Sequence, residues 1–214
     1  QPLADINGTF KPQQANQIEG GVKADLFHNK LNITASYFDI KVDNIIRAES
    51  INRDGTNYNI SVQDGTQRNK GIEISLNANP AEGLNIVAGY SHTDSKLTKA
   101  AASVEGRRPV DAGPENMINY WISYSLQATK LKGLGFGFGG NYVGDNKIMN
   151  RATAGTFTIP EYTVINSSIF YTAEKFTVTL KLNNITNEEI YDGWSTIHPK
   201  DPRTFAASFS YRFY

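Results

Sequence analysis

The stretch GLGFGFGG, Gly133 to Gly140, places glycine at every second position with Leu134, Phe136 and Phe138 between. A dinucleotide-binding loop needs the spacing G-x-G-x-x-G in the turn from a strand to a helix, with an acid about 20 residues further on. Here the glycines fall at period two, the following NYVGDN continues an extended pattern, and the nearest acid is Asp145. Side chains of a strand alternate between faces, so this is a strand with bare backbone on one side and Leu-Phe-Phe on the other.

The same alternation returns along the chain. In QIEGGVKADLF, Ile18, Val22, Ala24 and Leu26 share a face opposite Gln17, Glu19, Lys23 and Asp25. LNITASY, GIEISLNAN, LNIVAGYSH and NYWISYSL repeat the pattern, and INSSIFY, FTVTLKLN and TFAASFSYRFY bring the strands to nine. Their connections alternate in length. Those at His28–Lys30, Pro80–Gly83, Gln127–Gly133 and Thr172–Lys175 are short, and those at Asp43–Tyr58, Thr93–Asn116, Asn146–Thr158 and Asn187–Pro202 are long. Tight turns at one end and long loops at the other are the signature of an outer-membrane barrel, whose tilted strands need about 9–11 residues to span the bilayer. Alternation weakens at FDIKVDN and IPEYTVI, where a bulge or emergence from the membrane is expected.

Composition agrees. With 21 basic and 21 acidic residues the 214-residue chain has no net charge, which removes the basic footprint of a nucleic-acid partner. The absence of cysteine excludes a disulfide scaffold and thiolate metal ligation. No run of about 18 apolar residues offers a membrane helix, and QPLADINGTF lacks the pattern of a signal peptide. A membrane crossing here must therefore be a barrel, the other arrangement that satisfies its own backbone in lipid. The competing reading is a soluble β-sandwich that binds a glycan or a protein, whose strands alternate because one face meets a core. It accounts for the period, and less well for tight turns confined to one end and aromatics gathered near strand ends.

The C-terminal segment narrows the choice. NNITNEEIYDGW followed by PRTFAASFSYRFY resembles the closing strands of TonB-dependent outer-membrane receptors, and QQANQIEGGVK, GRRPVDAGPENMINYWISYSL, LGFGFGGNYVGD and IPEYTVINSSIFY are similar to earlier strands of that family. Within it the likeness is to ferric-siderophore receptors, including those of Bacteroidota. The resemblance implies an all-β fold, an antiparallel up-and-down transmembrane β-barrel of which residues 1–214 form the C-terminal nine strands of an expected 22. It implies a plug domain outside this chain, a bacterial outer-membrane location, and import of a ferric siderophore or similar iron chelate energised by TonB and the proton-motive force. The expected partners are that chelate, the TonB complex, the barrel-assembly machinery and outer-membrane lipid.

A receptor of this kind leaves its cargo chemically unchanged, so no catalytic residue and no cofactor are expected. Candidate ligand contacts are Trp194, Tyr191, His198, Arg107, Arg108 and the lumen-facing Trp121, because aromatic rings give contact area at small entropy cost and arginine forks suit hydroxamate or carboxylate oxygens. Trp194 and Tyr191 equally fit a role in packing the last loop, and Arg107 and Arg108 fit a solvated pair or a contact to lipopolysaccharide better than a ligand site. His28, His92 and His198 lie on separate segments, so no direct metal site is expected. The resemblance assigns an assembly signal to Phe209, Tyr211, Phe213 and Tyr214. The family usually ends on the aromatic that here is Phe213, with Tyr214 one residue beyond and on the opposite face.

Overall fold

The structure, a computed structural model, describes residues 10–127, 130–194 and 196–213. Tyr214 lies outside them. One antiparallel meander runs through strands β1 (Gln14–Leu26), β2 (Leu31–Arg53), β3 (Thr56–Ala78), β4 (Leu84–Lys99), β5 (Asn116–Ser125), β6 (Leu134–Val143), β9 (Tyr162–Thr172), β10 (Phe176–Asn183) and β13 (Thr204–Tyr211). These are the nine strands that the alternation predicts. Two small hairpins, β7 (Asn146–Arg151) with β8 (Gly155–Ile159) and β11 (Tyr191–Gly193) with β12 (Ile197–Pro199), stand inside the connections before β9 and β13.

Registers fix the faces. Tyr124 pairs with Phe136, Ile122 with Phe138, and these continue to Ile169 and Ser167 on β9. This face also carries Leu180 and Phe209, and its large side chains are exposed, with Phe136 at 48%, Leu180 at 55% and Phe205 at 81%. The opposite face holds the glycines. Trp121 pairs with Gly139, and a Cβ at Gly137 or Gly139 would overlap the Trp121 ring; a Cβ at Gly135 would overlap the ring of Phe170. The period-two glycines of β6 thus make room on the inner wall for bulky side chains of the flanking strands, while the intervening phenylalanines face out. Bulky rings covering strand glycines also pin register.

A sandwich requires a second sheet and a dry core. Among the described residues, the only buried hydrophobic ones are Ala78, Ile159 and Ile190, and the apolar face of the nine-stranded sheet meets no other layer. Apolar residues out, small and polar residues in, is the inside-out arrangement of a membrane barrel wall. Aromatics mark its edges: Tyr37, Tyr90 and Tyr142 toward the long connections, and Tyr124, Tyr171, Phe176 and Tyr211 toward the tight turns. The lower group interlocks, with ring centroids 6.1 Å apart for Tyr171–Phe176 and again for Phe176–Phe209.

One expectation is corrected. Asp43–Tyr58 is not a loop but the upper half of a hairpin in which β2 and β3 each run 23 residues. It closes on Asp54 and Gly55, both with positive φ (53° and 78°), the conformation that a two-residue hairpin turn demands and that Asp-Gly supplies. The bulge expected at FDIKVDN is present: register shifts between Val42 and Ile46, with Asn44 at φ 63°. At IPEYTVI the irregularity is a break, Pro160 and Glu161 separating β8 from β9.

Candidate functional site: the loop end of the barrel wall

The long connections are built structures. The structure extends β4 to Lys99, so the connection expected from Thr93 spans Ala100 to Glu115, and it is joined to the β7–β8 hairpin through Asn150, which is 8% exposed. Its Oδ1 accepts from Arg107 Nη1 at 3.0 Å, its Nδ2 donates to the Arg108 carbonyl at 3.0 Å, and Ala152 N–H donates to the Ser103 carbonyl at 2.7 Å. Arg108 is the clamp of this unit. Its guanidinium donates to the carbonyls of Thr93 (2.7 Å), Gly113 (3.1 and 3.0 Å) and Pro114 (3.2 Å), with the Glu115 carboxylate at 3.8 Å. Burial pulls the Arg108 pKa down, and the charges of Glu115, Asp94 and Asp145 oppose that pull. The expectation of a solvated pair is therefore corrected for Arg108, whose donors are committed to the loop backbone. Arg107 is held by Asn150 and is less deeply placed.

The last connection is tied at its root. Asn184, 3% exposed and at φ 51°, donates its N–H to Asn166 Oδ1, accepts from Glu188 N–H on Oδ1, and donates through Nδ2 to the Glu188 carbonyl, each at 2.9 Å. Asparagine tolerates the left-handed conformation and bonds locally, which fits NNITN to a fixed exit from β10. Asn187 Oδ1 then accepts from Arg203 N–H at 2.9 Å, closing the loop at its base. Above this knot the β11–β12 hairpin pairs Tyr191 with Pro199 and Asp192 with His198.

Tyr191 and Trp194 are 50% and 64% exposed, so each keeps half or more of its surface open to a ligand. Together with His198 they crown the hairpin, and β11 lies against β8. Trp121 is not brought to this cluster. It sits on the inner wall half-way down β5, its ring laid over Gly137 and Gly139. The inner wall forms a trough of about 610 Å³ whose lining includes Thr34, Ser75, Ser91, Asn119 and Asn141, with Glu73 and Lys200 as its charged members. Lys200, which the sequence reading did not single out, links the trough to the last loop: its Nζ donates to Tyr162 Oη at 3.0 Å and meets Asp192 Oδ2 at 3.1 Å. Among the described residues no group of three His, Asp or Glu side chains is close enough to hold a metal ion.

The hydrogen bond from Lys200 holds the Asp192 carboxyl below its ordinary 3.8, and the bond to Tyr162 raises the Lys200 ammonium above its ordinary 10.5. Asp192, depressed when folded, contributes fully above 3.8 and loses that contribution as pH falls through its lower folded value; Lys200, raised when folded, contributes fully below 10.5 and loses it as pH climbs through its higher folded value. The hairpin is thus expected to be best anchored between these limits. Trp194 fluorescence in a Trp121→Phe background should shift on acidification below the carboxylate range, and Asp192→Asn should remove that acid transition.

A wall with an outward apolar band, a polar interior, tight turns at one end and built hairpins at the other defines an outer-membrane β-barrel protein. Residues 1–185 match the family described as TonB dependent receptor-like, beta-barrel, and the chain belongs to that family. It is 27% identical over 192 residues to the ferrioxamine B receptor of Salmonella typhimurium, covering 87% of this chain and 26% of that protein. It is also 27% identical over 214 residues to the catecholate siderophore receptor Fiu of Escherichia coli, covering 95% and 26%. The crystal structure of that ferric-catecholate import receptor superposes with a TM-score of 0.76 at 26% identity, covering 95% of this chain and 28% of the receptor. The pyoverdine receptor FpvA of Pseudomonas aeruginosa shares the fold at 19% identity, with a TM-score of 0.75. The chain spans about a quarter of the length of these relatives.

Proposed function

We propose that this chain is the C-terminal nine strands of a larger barrel, expected to hold 22 strands, in a receptor that imports a ferric siderophore across the outer membrane with energy delivered by TonB. The carrying observation is the two-faced meander with its hairpins built up at one end only, in a chain of the TonB-dependent receptor family. Open edges support the larger barrel: β1 and β13 each pair on one side only, and unpaired backbone groups are not tolerated in lipid. The relatives' names point to iron chelates as cargo. Exposed Trp194 and Tyr191, with His198 on the same hairpin and Arg107 in another connection of the loop end, offer the contact surface. The inner trough supplies hydroxyl and amide groups along the path. A plug domain encoded outside this chain would fill the lumen and contact TonB. The test is uptake of radiolabelled ferric chelates, hydroxamate and catecholate, by a strain deleted for the receptor. Restoration of uptake by the full receptor, abolished on loss of TonB, is the expected result; unchanged iron uptake with every chelate would defeat the reading.

The same reading assigns the terminal aromatics to assembly. Phe209 and Tyr211 face out on β13, Phe213 is 88% exposed, and Tyr211 and Phe213 meet edge to face at 4.8 Å. Removing Phe213 and Tyr214 from the full receptor is expected to lower its surface level several-fold more than removing two residues from the β7–β8 hairpin. Surface biotinylation provides the measurement.

A further inference from the structure

Directly opposed like charges destabilise a β ladder, yet three cations stand in one cross-strand row on the outer face of this sheet. Lys41 of β2 pairs with Arg68 of β3, and Arg68 pairs with Lys96 of β4. The face follows from the register: Tyr37, Ile72 and His92 lie in the row four positions nearer the membrane, on the side that bears the outward Ile74, Leu76 and Ala88. Four residues are about 13 Å of strand, or about 10 Å of height at the tilt usual for barrels. The three strands together are about 10 Å wide. The row therefore stands just beyond the apolar band, on the loop side, with its charges directed away from the lumen.

The neighbouring carboxylates neutralise the row only in part. Asp39 takes Arg68 in a two-pronged contact at 2.8 and 2.5 Å and also meets Lys70 at 3.7 Å. Asp43 meets Lys41 at 2.9 Å, and Lys96 has no ion-pair partner among the described residues. Lys41 and Arg68 keep about half of their side-chain surface exposed, 56% and 49%. Counting Lys70 with the row gives four cations against Asp39, Asp43 and Asp94, so the excess is positive at the height where lipid headgroups begin.

We propose that Lys41, Arg68 and Lys96 form a docking stripe for the phosphate groups of an outer-leaflet lipid of the lipid A class, whose acyl chains lie along the apolar band below. This rests on the outer-membrane reading of the sheet and not on the cargo. Arginine forks and lysine ammonium groups are the side chains suited to phosphate oxygens. The hydrophobic step beneath the row selects an amphiphile over a free anion. Binding to a phosphorylated lipid also explains why three opposed cations are placed where water and lipid meet rather than dispersed.

The test uses the full receptor in lipid-free detergent, with binding followed by native mass spectrometry. Bisphosphorylated lipid A is expected to bind and inorganic phosphate at equal phosphate concentration is not. The variant Lys41→Gln/Arg68→Gln/Lys96→Gln should weaken lipid A binding at least tenfold. A control that removes three cations at the tight-turn end, Lys30→Gln/Lys132→Gln/Lys175→Gln, should bind as the wild type does. Folding of each variant is checked by heat-modifiable gel migration, which also tests the barrel reading separately. If the triple variant does not fold, Lys96→Gln alone, which breaks no ion pair, should weaken binding several-fold. Undiminished binding in the folded row variant, equal loss in the control, or equal occupancy by inorganic phosphate overturns the proposal.

Discussion

A receptor carrying Phe138→Arg is expected to lose most of its folded, heat-modifiable form and one carrying Phe136→Arg, next to the edge-marking Tyr124, less of it, whereas Ser125→Arg retains it. Phe138 faces out beside Ile122, and Phe136 beside Tyr124, within the apolar band. Arginine near the bilayer midplane of a barrel costs about 2–4 kcal/mol, which is a large part of a typical folding free energy. Ser125 pairs with Gly135 on the inner face, where charge meets water. Gly137 is a poor comparison site: any side chain there displaces Trp121 and Ser168, so a loss would report overpacking rather than charge. Urea unfolding of the refolded receptor checks the energies, and gel migration checks assembly. Phenylalanine variants that assemble normally while Ser125→Arg fails would mean that the faces are reversed.

The parts of this architecture visible in the sequence are those where one face meets lipid. Period-two alternation located all nine strands because a one-residue slip would turn every apolar side chain of a strand to the wrong side. Where the sheet rises clear of the membrane, both faces meet water and the alternation fades, so the upper halves of β2 and β3 read as loop. Their signal was Asp54-Gly55, a hairpin dipeptide that outweighs the missing period. The small hairpins β7–β8 and β11–β12 lie in connections with no apolar face to betray them. Exposed Trp194, Tyr191 and His198 were legible as residue types at the expected end of the barrel. The clamp of Arg108 was not, because its partners are backbone carbonyls whose positions only the folded loop defines. Lys200 escaped for the same reason, since its partners Tyr162 and Asp192 are brought to it by tertiary structure. The row of Lys41, Arg68 and Lys96 joins residues far apart in sequence and is visible only through the register.

Arg108 gives the second large effect, and a local one. Replacing it with methionine keeps much of the side-chain volume but leaves the carbonyls of Thr93, Gly113 and Pro114 without their donor. Each acceptor stranded in a poorly hydrated setting costs about 1–3 kcal/mol unless water reaches it. The loop is then expected to open rather than bear that cost, and the barrel below, held by its own ladder, is expected to stay folded. Because Asn150 Nδ2 donates to the Arg108 carbonyl and Asn150 Oδ1 accepts from Arg107, opening should spread to the β7–β8 hairpin. Arg107→Ala removes one of these bonds and should loosen the hairpin less. Arg108→Lys keeps the charge but not the planar fork, and should fall between the two. Amide exchange of Gly106, Ala152 and Gly144, with limited proteolysis between residues 100 and 115, would report the order. Protection of Gly106 equal to wild type in Arg108→Met would show that the loop is held by its backbone bonds alone, such as Gly106 N–H to the Leu97 carbonyl at 2.8 Å. Loss of protection at Gly106 and Ala152 together, with no change in barrel unfolding, is what a clamp joining two segments of the loop end requires.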